Sequence, residues 1–208
     1  MKLDIGSLEE QPTDLVSGFR TMLEEMMPSL YEHTCSPGRP GGFFERIERG
    51  TWAGHVVEHV AIELQGLTEN EVSFGKSFST EEDSVYNIVY GYIDENVGLK
   101  AGKFAVEIVE KLFQGEITKI EPLVYQLKKI RDASLLGPST EAIVKEAKQR
   151  GIPHIRLNEY NYMQLGHGRY QRRIQATLMD STSAIGVEIA DDKEYTKKIL
   201  AEIRDSCA

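Results

Sequence analysis

The stretch from Thr51 to Gln65 carries a His-x-x-Glu-His pattern, whose members are His55, Glu58 and His59. On a helix, side chains four residues apart project from one face, so both imidazoles could bind one metal ion. Glu58 lies on the same face, where its carboxylate could accept a proton from an attacking water. The pattern therefore predicts metal-assisted hydrolysis. The alternative is a structural helix whose polar side happens to carry two histidines.

Helical spacing of apolar residues from Val57 to Leu64 predicts that this segment is an amphipathic helix, with Thr51 as its N-cap. The histidines and Ile62 lie on the opposite side from that stripe, and Trp52 lies close to them. A solvated face seldom carries a tryptophan and an isoleucine beside two histidines. We therefore expect the second face of the helix to be covered by other parts of the chain.

The rest of the chain alternates between strand-like and helix-like patterns without a regular βαβ rhythm. We expect strands at 30–35, 84–92, 152–157 and 183–189, a polar turn-rich segment at 66–83, and helices at 97–112, 121–133, 140–150 and from 191 onward. The break at Leu136–Ser139 divides the chain into 1–134 and 135–208. The fold class is predicted to be α+β: a mixed sheet with packed helices, followed by a small incomplete α/β piece.

Composition and charge narrow the classes of function. The chain has 208 residues and a net charge of -9, which argues against a nucleic-acid binder. No apolar run approaches the roughly 20 residues of a membrane span, and the N-terminus lacks the apolar segment of a secretory signal. Two cysteines, Cys35 and Cys207, do not make a disulfide framework. We expect a cytoplasmic protein that does not bind membranes. The sequence leaves open whether it forms a homo-oligomer.

Several runs of sequence resemble the N-terminal region of cyanophycin synthetases, and together they cover nearly the whole chain. The matching runs are 31–36, 41–46, 50–52, 55–65, 86–89, 97–99, 136–140, 151–153, 171–177 and 192–193. Members of this family make a polymer with an aspartate backbone that bears arginine side chains. The resemblance implies that this polymer, cyanophycin, is the partner of the chain.

The same resemblance implies a modular architecture of an N-terminal domain, an ATP-grasp ligase and a Mur-ligase-like module. Residues 1–134 correspond to the first module, and residues 135–208 to the opening piece of the second. Lys193 matches a lysine that lies near the nucleotide phosphates in ATP-grasp enzymes, so ATP is expected as a cofactor only in a complete module. We expect no polymer synthesis from residues 1–208 alone.

In some family members the N-terminal domain also resembles zinc metallopeptidases of the inverted-motif, pitrilysin-like class, which would cut the polymer into primers. The resemblance implies that His55 and His59 bind Zn²⁺ and that Glu58 is the general base. This class takes its third protein ligand from a glutamate on a later helix. Glu95 is the first choice, because it begins the next long helix, and Glu107 and Glu110 are the alternatives.

Binding of the polymer's arginine side chains would require carboxylates near the site. The candidates are Glu32, Glu45, Glu63 and the acidic run 81–83. Two rival interpretations remain: a polymer-binding module without catalysis, and a protein that supports a separate ATP-grasp ligase. Metal content distinguishes the hydrolase from both.

Overall fold

The computed structural model describes residues 1–206 and divides the chain into two compact units, Met1–Ser134 and the part from Leu135 onward. Helices and small antiparallel sheets occur in both, which confirms the predicted α+β class. Among the described residues, no helix combines the length and the apolar character needed to cross a bilayer. Cys207 lies outside the described residues.

The first unit contains a three-stranded antiparallel sheet made of β1 (Lys2–Asp4), β2 (Gly75–Ser79) and β3 (Val85–Tyr90). The central strand, β3, confirms the strand expected within 84–92. The expectation that 66–83 is only a polar turn was wrong, because β2 lies within it. This strand has no apolar alternation, and it is held by its pairing with β3, in which Ser77 lies opposite Ile88.

Five helices accompany this sheet: α1 (Phe19–Met26), α2 (Gly42–Glu48), α3 (Ala53–Gly66), α4 (Glu95–Phe113) and α5 (Glu121–Ser134). The central one is α3, which packs against α4, β2 and β3 and has 12 buried residues out of 14. The second face of α3 is covered, as the sequence predicted. Glu58, His59 and Ile62 on that face are each less than 9% exposed.

The core of the first unit is formed mainly between α3 and α4. Leu64 and Leu112 are fully buried, and the rings of Phe19 and Phe113 meet edge to face at 5.0 Å. Each buried side chain of this size contributes roughly 1.5–3 kcal/mol to folding. At the start of α4, Asp94 accepts a hydrogen bond from the backbone N–H of Val97 at 2.9 Å and so caps the helix. These contacts fix α3, which carries the His-x-x-Glu-His pattern.

The strand predicted at 30–35 is absent, and a 3-10 helix at Pro28–Glu32 takes its place. Proline fixes a helical φ at the first position of this turn, and Leu30 is fully buried beneath it. The chain then turns between Cys35 and Gly38, where the Gly38 N–H donates to the Cys35 carbonyl at 3.2 Å. This turn brings residues 33–36 over the second face of α3.

The second unit contains α6 (Pro138–Gln149), followed by a four-stranded antiparallel sheet and two helices. The strands are β4 (His154–Arg156), β5 (Tyr162–Leu165), β6 (Arg172–Gln175) and β7 (Leu178–Met179), and the helices are α7 (Ala184–Asp191) and α8 (Lys193–Ser206). The strand predicted at 183–189 was wrong, because this segment is α7. The Ser183 hydroxyl accepts from the Gly186 N–H at 2.9 Å, and this cap favours helix despite the β-branched residues.

Candidate metal centre

A cavity of about 620 Å³ lies beside the second face of α3. His55, Glu58 and His59 line it from the helix. Residues 32–36 and residues 72, 73 and 75–77, which include the first part of β2, also line it. The structure therefore brings the three members of the motif together at one cavity, formed with two segments that are distant in sequence.

Three side chains of types suited to binding zinc, one cysteine and two histidines, converge in this cavity. Cys35, His55 and His59 each offer a ligand atom, and these atoms lie within 4.8 Å of one another. Ligand atoms on one tetrahedral zinc ion lie roughly 3.3–3.8 Å apart, as follows from bonds of about 2.0–2.3 Å. A closing movement of about 1 Å would bring the three atoms to that separation. The residues present therefore fit a metal ion of this kind.

Cys35 is the candidate metal ligand that the motif did not reveal. Its Sγ lies 3.5 Å from His55 Nε2. Its backbone has a φ of +47°, which costs a non-glycine residue of order 1 kcal/mol. Behind it, Gly42 packs so tightly that an added Cβ would lie 2.0 Å from the Thr34 carbonyl oxygen. Tight packing thus holds the segment that carries Cys35 against the histidines.

His55 is oriented by Thr51, whose Oγ1 lies 3.0 Å from His55 Nδ1. The helix begins after Trp52, so the expectation that Thr51 is the N-cap was wrong; its hydroxyl contacts the imidazole instead. Burial, together with the positive charge of Arg46, lowers the pKa of His55 to about 4. A neutral imidazole at pH 7 keeps a lone pair available to a metal.

His59 is held by two aromatic neighbours. Its Nδ1 lies 2.9 Å from His33 Nδ1, and the Phe43 ring stacks on the imidazole with centroids 4.0 Å apart. Burial is the main cause that lowers the pKa of His59 to about 2, and nearby His55 and His33 lower it further. Like His55, His59 is therefore a neutral imidazole at physiological pH, with a lone pair that can bind a metal.

Glu58 is only 6% exposed, although it lines the cavity. Burial raises the pKa of its carboxyl group, and a hydrogen bond with Ser77 partly opposes that shift. Gly75 of β2 leaves room for this side chain, because a Cβ there would lie 2.6 Å from Glu58 Oε1. A carboxyl group whose pKa is raised in a confined site holds a proton more readily than an ordinary glutamate, which suits a group that accepts and then releases a proton.

The glutamates expected to supply a third ligand lie elsewhere. Glu95 lines a different groove, with Met1, Tyr92 and Leu99. Glu107 is exposed on α4, and Glu110 borders a small cavity beside β1. The structure brings none of these three to the histidines, since α4 packs against α3 from another side and presents its apolar stripe to the core.

The carboxylates expected to bind arginine are separated in the structure. Glu32 is exposed and lines the cavity. Glu45 instead pairs with Arg39 at 2.5 Å, at the edge of a neighbouring cavity. Glu63 is buried and bonded to His33 and Ser29. The members of the 81–83 run are exposed away from this wall, and Glu82 pairs with Lys2.

The acidic excess of the chain is confined to the first unit. Within residues 1–134, Asp and Glu outnumber Lys and Arg by 23 to 13, whereas the two classes nearly balance in 135–208. A positively charged ligand would therefore be attracted to the unit that contains the cavity. In the second unit, Lys193 is exposed at the first position of α8.

Comparison with known proteins identifies the family of the chain. The cyanophycin synthetase of Trichormus variabilis is 47% identical over 205 residues, which cover 97% of this chain and 23% of that protein. For the cyanophycin synthetase of Crocosphaera subtropica, the identity is 43% over 205 residues, with 97% and 24% covered. The chain thus spans about a quarter of the length of these curated relatives. The family model described as cyanophycin synthase-like N-terminal domain matches residues 1–114, so the chain belongs to that family.

Proposed function

We propose that this chain binds an aspartate–arginine polymer of the cyanophycin type and hydrolyses its backbone amide bonds with the help of zinc. The observation that carries the proposal is the position of Glu58. This carboxylate is nearly inaccessible to bulk solvent, yet it lines the same cavity as His55 and His59. A merely solvated helix face would not hold a glutamate in this way.

In this proposal Cys35, His55 and His59 hold the metal ion. Bound zinc supplies a Lewis acid that polarises a carbonyl group and lowers the pKa of water. The thiol of Cys35 replaces the glutamate ligand that the family resemblance implied for Glu95. Cysteine and histidine together are common zinc ligands, so the replacement is chemically consistent.

Glu58 performs the proton transfers. Its carboxylate accepts a proton from the water that attacks the substrate carbonyl, and it then gives that proton to the amine that leaves. The raised pKa of Glu58 suits both steps, because the group must hold the proton between them. Ser77, on β2, keeps the carboxylate oriented toward the cavity through its hydrogen bond.

Recognition of the substrate rests on charge. Glu32 lines the cavity and is exposed, so its carboxylate can pair with a guanidinium group of the polymer. The negative surplus of residues 1–134 favours binding of a chain that carries many arginines. We assign no such role to Glu45 or Glu63, because both already have partners. Lys193 would contact ATP only as part of a complete ATP-grasp module.

A polymer-binding module without catalysis is the second candidate, and one observation favours it. Nδ1 of His59 is hydrogen-bonded to Nδ1 of His33 at 2.9 Å, so each of these two nitrogens has a polar partner without a metal. The same cavity and the same acidic surface would then serve only to bind the polymer, in this chain or beside a separate ligase.

Zinc content and polymer cleavage decide between the two candidates. The wild-type protein, purified without chelator and supplied with zinc, is expected to hold about one zinc per chain by elemental analysis. It is also expected to release short arginine-containing fragments from the polymer. Glu58→Gln should retain zinc and lose about 10²–10⁴-fold in cleavage rate, because an amide cannot accept the proton.

Glu107→Gln is the matched control, since it makes the same chemical change at an exposed position on α4. It should leave both zinc content and cleavage unchanged. Full cleavage by a zinc-loaded Glu58→Gln protein would contradict the proposed role of Glu58. A wild-type protein that binds polymer but takes up no zinc would favour the binding module.

A further inference from the structure

A chain of four polar side chains runs from the 3-10 helix at Pro28–Glu32 into α3. The Ser29 hydroxyl donates to Glu63 Oε1, and His33 Nε2 lies 3.0 Å from Glu63 Oε2. On its other side, the His33 ring places Nδ1 2.9 Å from Nδ1 of His59. Ser29 and His33 come from a segment outside the His-x-x-Glu-His motif, so the motif alone does not reveal these contacts.

The hydrogen bonds along this chain determine where the protons lie. An ionised carboxylate can only accept hydrogen bonds, so the nitrogen facing Glu63 must carry a proton. In a neutral His33 ring, Nδ1 is then unprotonated and accepts a hydrogen bond. The partner atom, His59 Nδ1, must therefore be the N–H donor. Its other nitrogen, Nε2, keeps the lone pair that a metal requires.

We infer that Glu63 and His33 are positioning residues, which together fix His59 in the tautomer that is protonated on Nδ1 and leaves Nε2 free to bind a metal. The inference rests on the proposed zinc site for its functional meaning. Its structural content, the tautomer of His59, is independent of whether zinc binds. Neither residue contacts the substrate in this scheme.

Two further observations support the assignment. Hydrogen bonds from His33 and Ser29 lower the pKa of Glu63 against the opposing effect of burial, which agrees with a carboxylate that stays ionised. Phe43 stacks on the His59 ring at an interplanar angle of 20°, so the ring cannot easily flip to exchange its two nitrogens. His59 and Glu63 are four residues apart on α3, which puts both on the face that His33 covers.

The competing arrangement is an imidazolium at His33. Both of its nitrogens would then donate, His59 Nδ1 would accept, and the proton of His59 would lie on Nε2. This arrangement would block binding of metal through Nε2. The two schemes differ by the position of one proton on His59, and that position can be measured directly.

The test is long-range ¹H–¹⁵N correlation spectroscopy of the histidine rings, on zinc-free, ¹⁵N-labelled full chain at pH 8. The chain has five histidines, so His59→Gln and His33→Gln variants suffice to assign the two signals. We expect the Nε2–H tautomer for His33 and the Nδ1–H tautomer for His59. An Nε2–H tautomer at His59 would overturn the inference.

Variants of His33 add a readout of zinc affinity. His33→Leu removes the acceptor, and we expect zinc to bind about 10–100-fold more weakly. His33→Asn places an amide oxygen near the former Nδ1 and should restore part of that loss together with the His59 tautomer. The control is His167→Leu in the second unit, which should change neither quantity. Circular dichroism verifies that each variant remains folded.

The outcomes separate this inference from the proposed function. The expected tautomers in a protein that never binds zinc would support the inference and contradict the metal site. Tight zinc binding together with an Nε2–H tautomer at His59 would support the metal site and overturn the inference. In a protein that does bind zinc, equal zinc affinity for wild type and His33→Leu would overturn the positioning role of His33.

Discussion

The neutral histidines of the candidate site should make the first unit sensitive to acid, and His55→Gln isolates the contribution of His55. In the folded chain the pKa of His55 is lowered to about 4, against about 6.5 for an ordinary histidine. Between these values, the unfolded chain takes up a proton that the folded chain does not. The free energy of unfolding should therefore fall as pH falls from about 6.5 to about 4.

The size of the effect follows from the shift. One pKa unit corresponds to about 1.36 kcal/mol, so His55 alone should remove about 2 kcal/mol between pH 7 and pH 5. A glutamine at this position has no proton to take up in this range. The slope contributed by His55 should therefore disappear in the variant, while the contributions of Glu58 and Glu63 are present in both proteins and cancel.

Trp52 makes the assay specific. It is the only tryptophan of the chain and lies in the first unit, so its fluorescence in urea reports unfolding of that unit. Wild type and His55→Gln are compared at pH 7, 6 and 5 in the presence of chelator, because bound metal would itself stabilise the folded state.

The substitution can also change the free energy of unfolding by an amount that does not depend on pH. The deciding quantity is therefore how the difference in free energy of unfolding between wild type and His55→Gln changes with pH. The reasoning predicts that this difference changes by about 2 kcal/mol between pH 7 and pH 5. A difference that stays constant over this range would show that His55 titrates normally in the folded chain, and the account of its burial would be refuted.

Two more predictions concern the positioning of the ligands. Gly42→Ala should destabilise the first unit by about 1–3 kcal/mol in urea and weaken zinc binding, because its Cβ would meet the Thr34 carbonyl beside Cys35. Gly66→Ala, whose Cβ would meet nothing within 4 Å, is the control, and equal losses in both would contradict this explanation. Cys35→Ser should bind zinc at least about tenfold more weakly, whereas Glu95→Gln should match wild type by competition with a zinc indicator. If Glu95→Gln weakened zinc binding and Cys35→Ser did not, Glu95 and not Cys35 would be the third ligand.

The sequence predicted the elements whose signals are local. The helical spacing of Val57 to Leu64 located α3, and the Val, Ile and Tyr content of 84–92 located β3. Local signals failed where long-range contacts decide. Strand β2 has no apolar alternation and exists through its pairing with β3. Conversely, α7 contains strand-favouring residues but begins at a serine cap.

In the candidate site, too, residues with a local sequence signal were predicted and residues placed by long-range contacts were not. His55, Glu58 and His59 were found because one helix carries all three at fixed spacing. Cys35 and His33 were not found, because their role depends on a turn that folds back over α3. Two signals pointed to this segment: the family resemblance of 31–36, and the Pro- and Gly-rich loop that follows, since such loops often bring backbone close to a ligand. Sequence reasoning offered Glu95, Glu107 and Glu110 as the third ligand and did not consider Cys35, whose nearness to the histidines depends on the fold.

The burial of α3 has a consequence for how a metal ion would enter and leave the proposed zinc site. Backbone amides of a helix buried on nearly all sides exchange with solvent only when much of the domain opens. His55 and His59 therefore lie on the helix whose backbone amides should exchange most slowly in the first unit. Cys35, by contrast, lies in a surface turn whose opening requires far less free energy. Metal exchange should therefore begin with release of the thiolate, at a rate set by local motion of residues 33–38 and not by unfolding of the core.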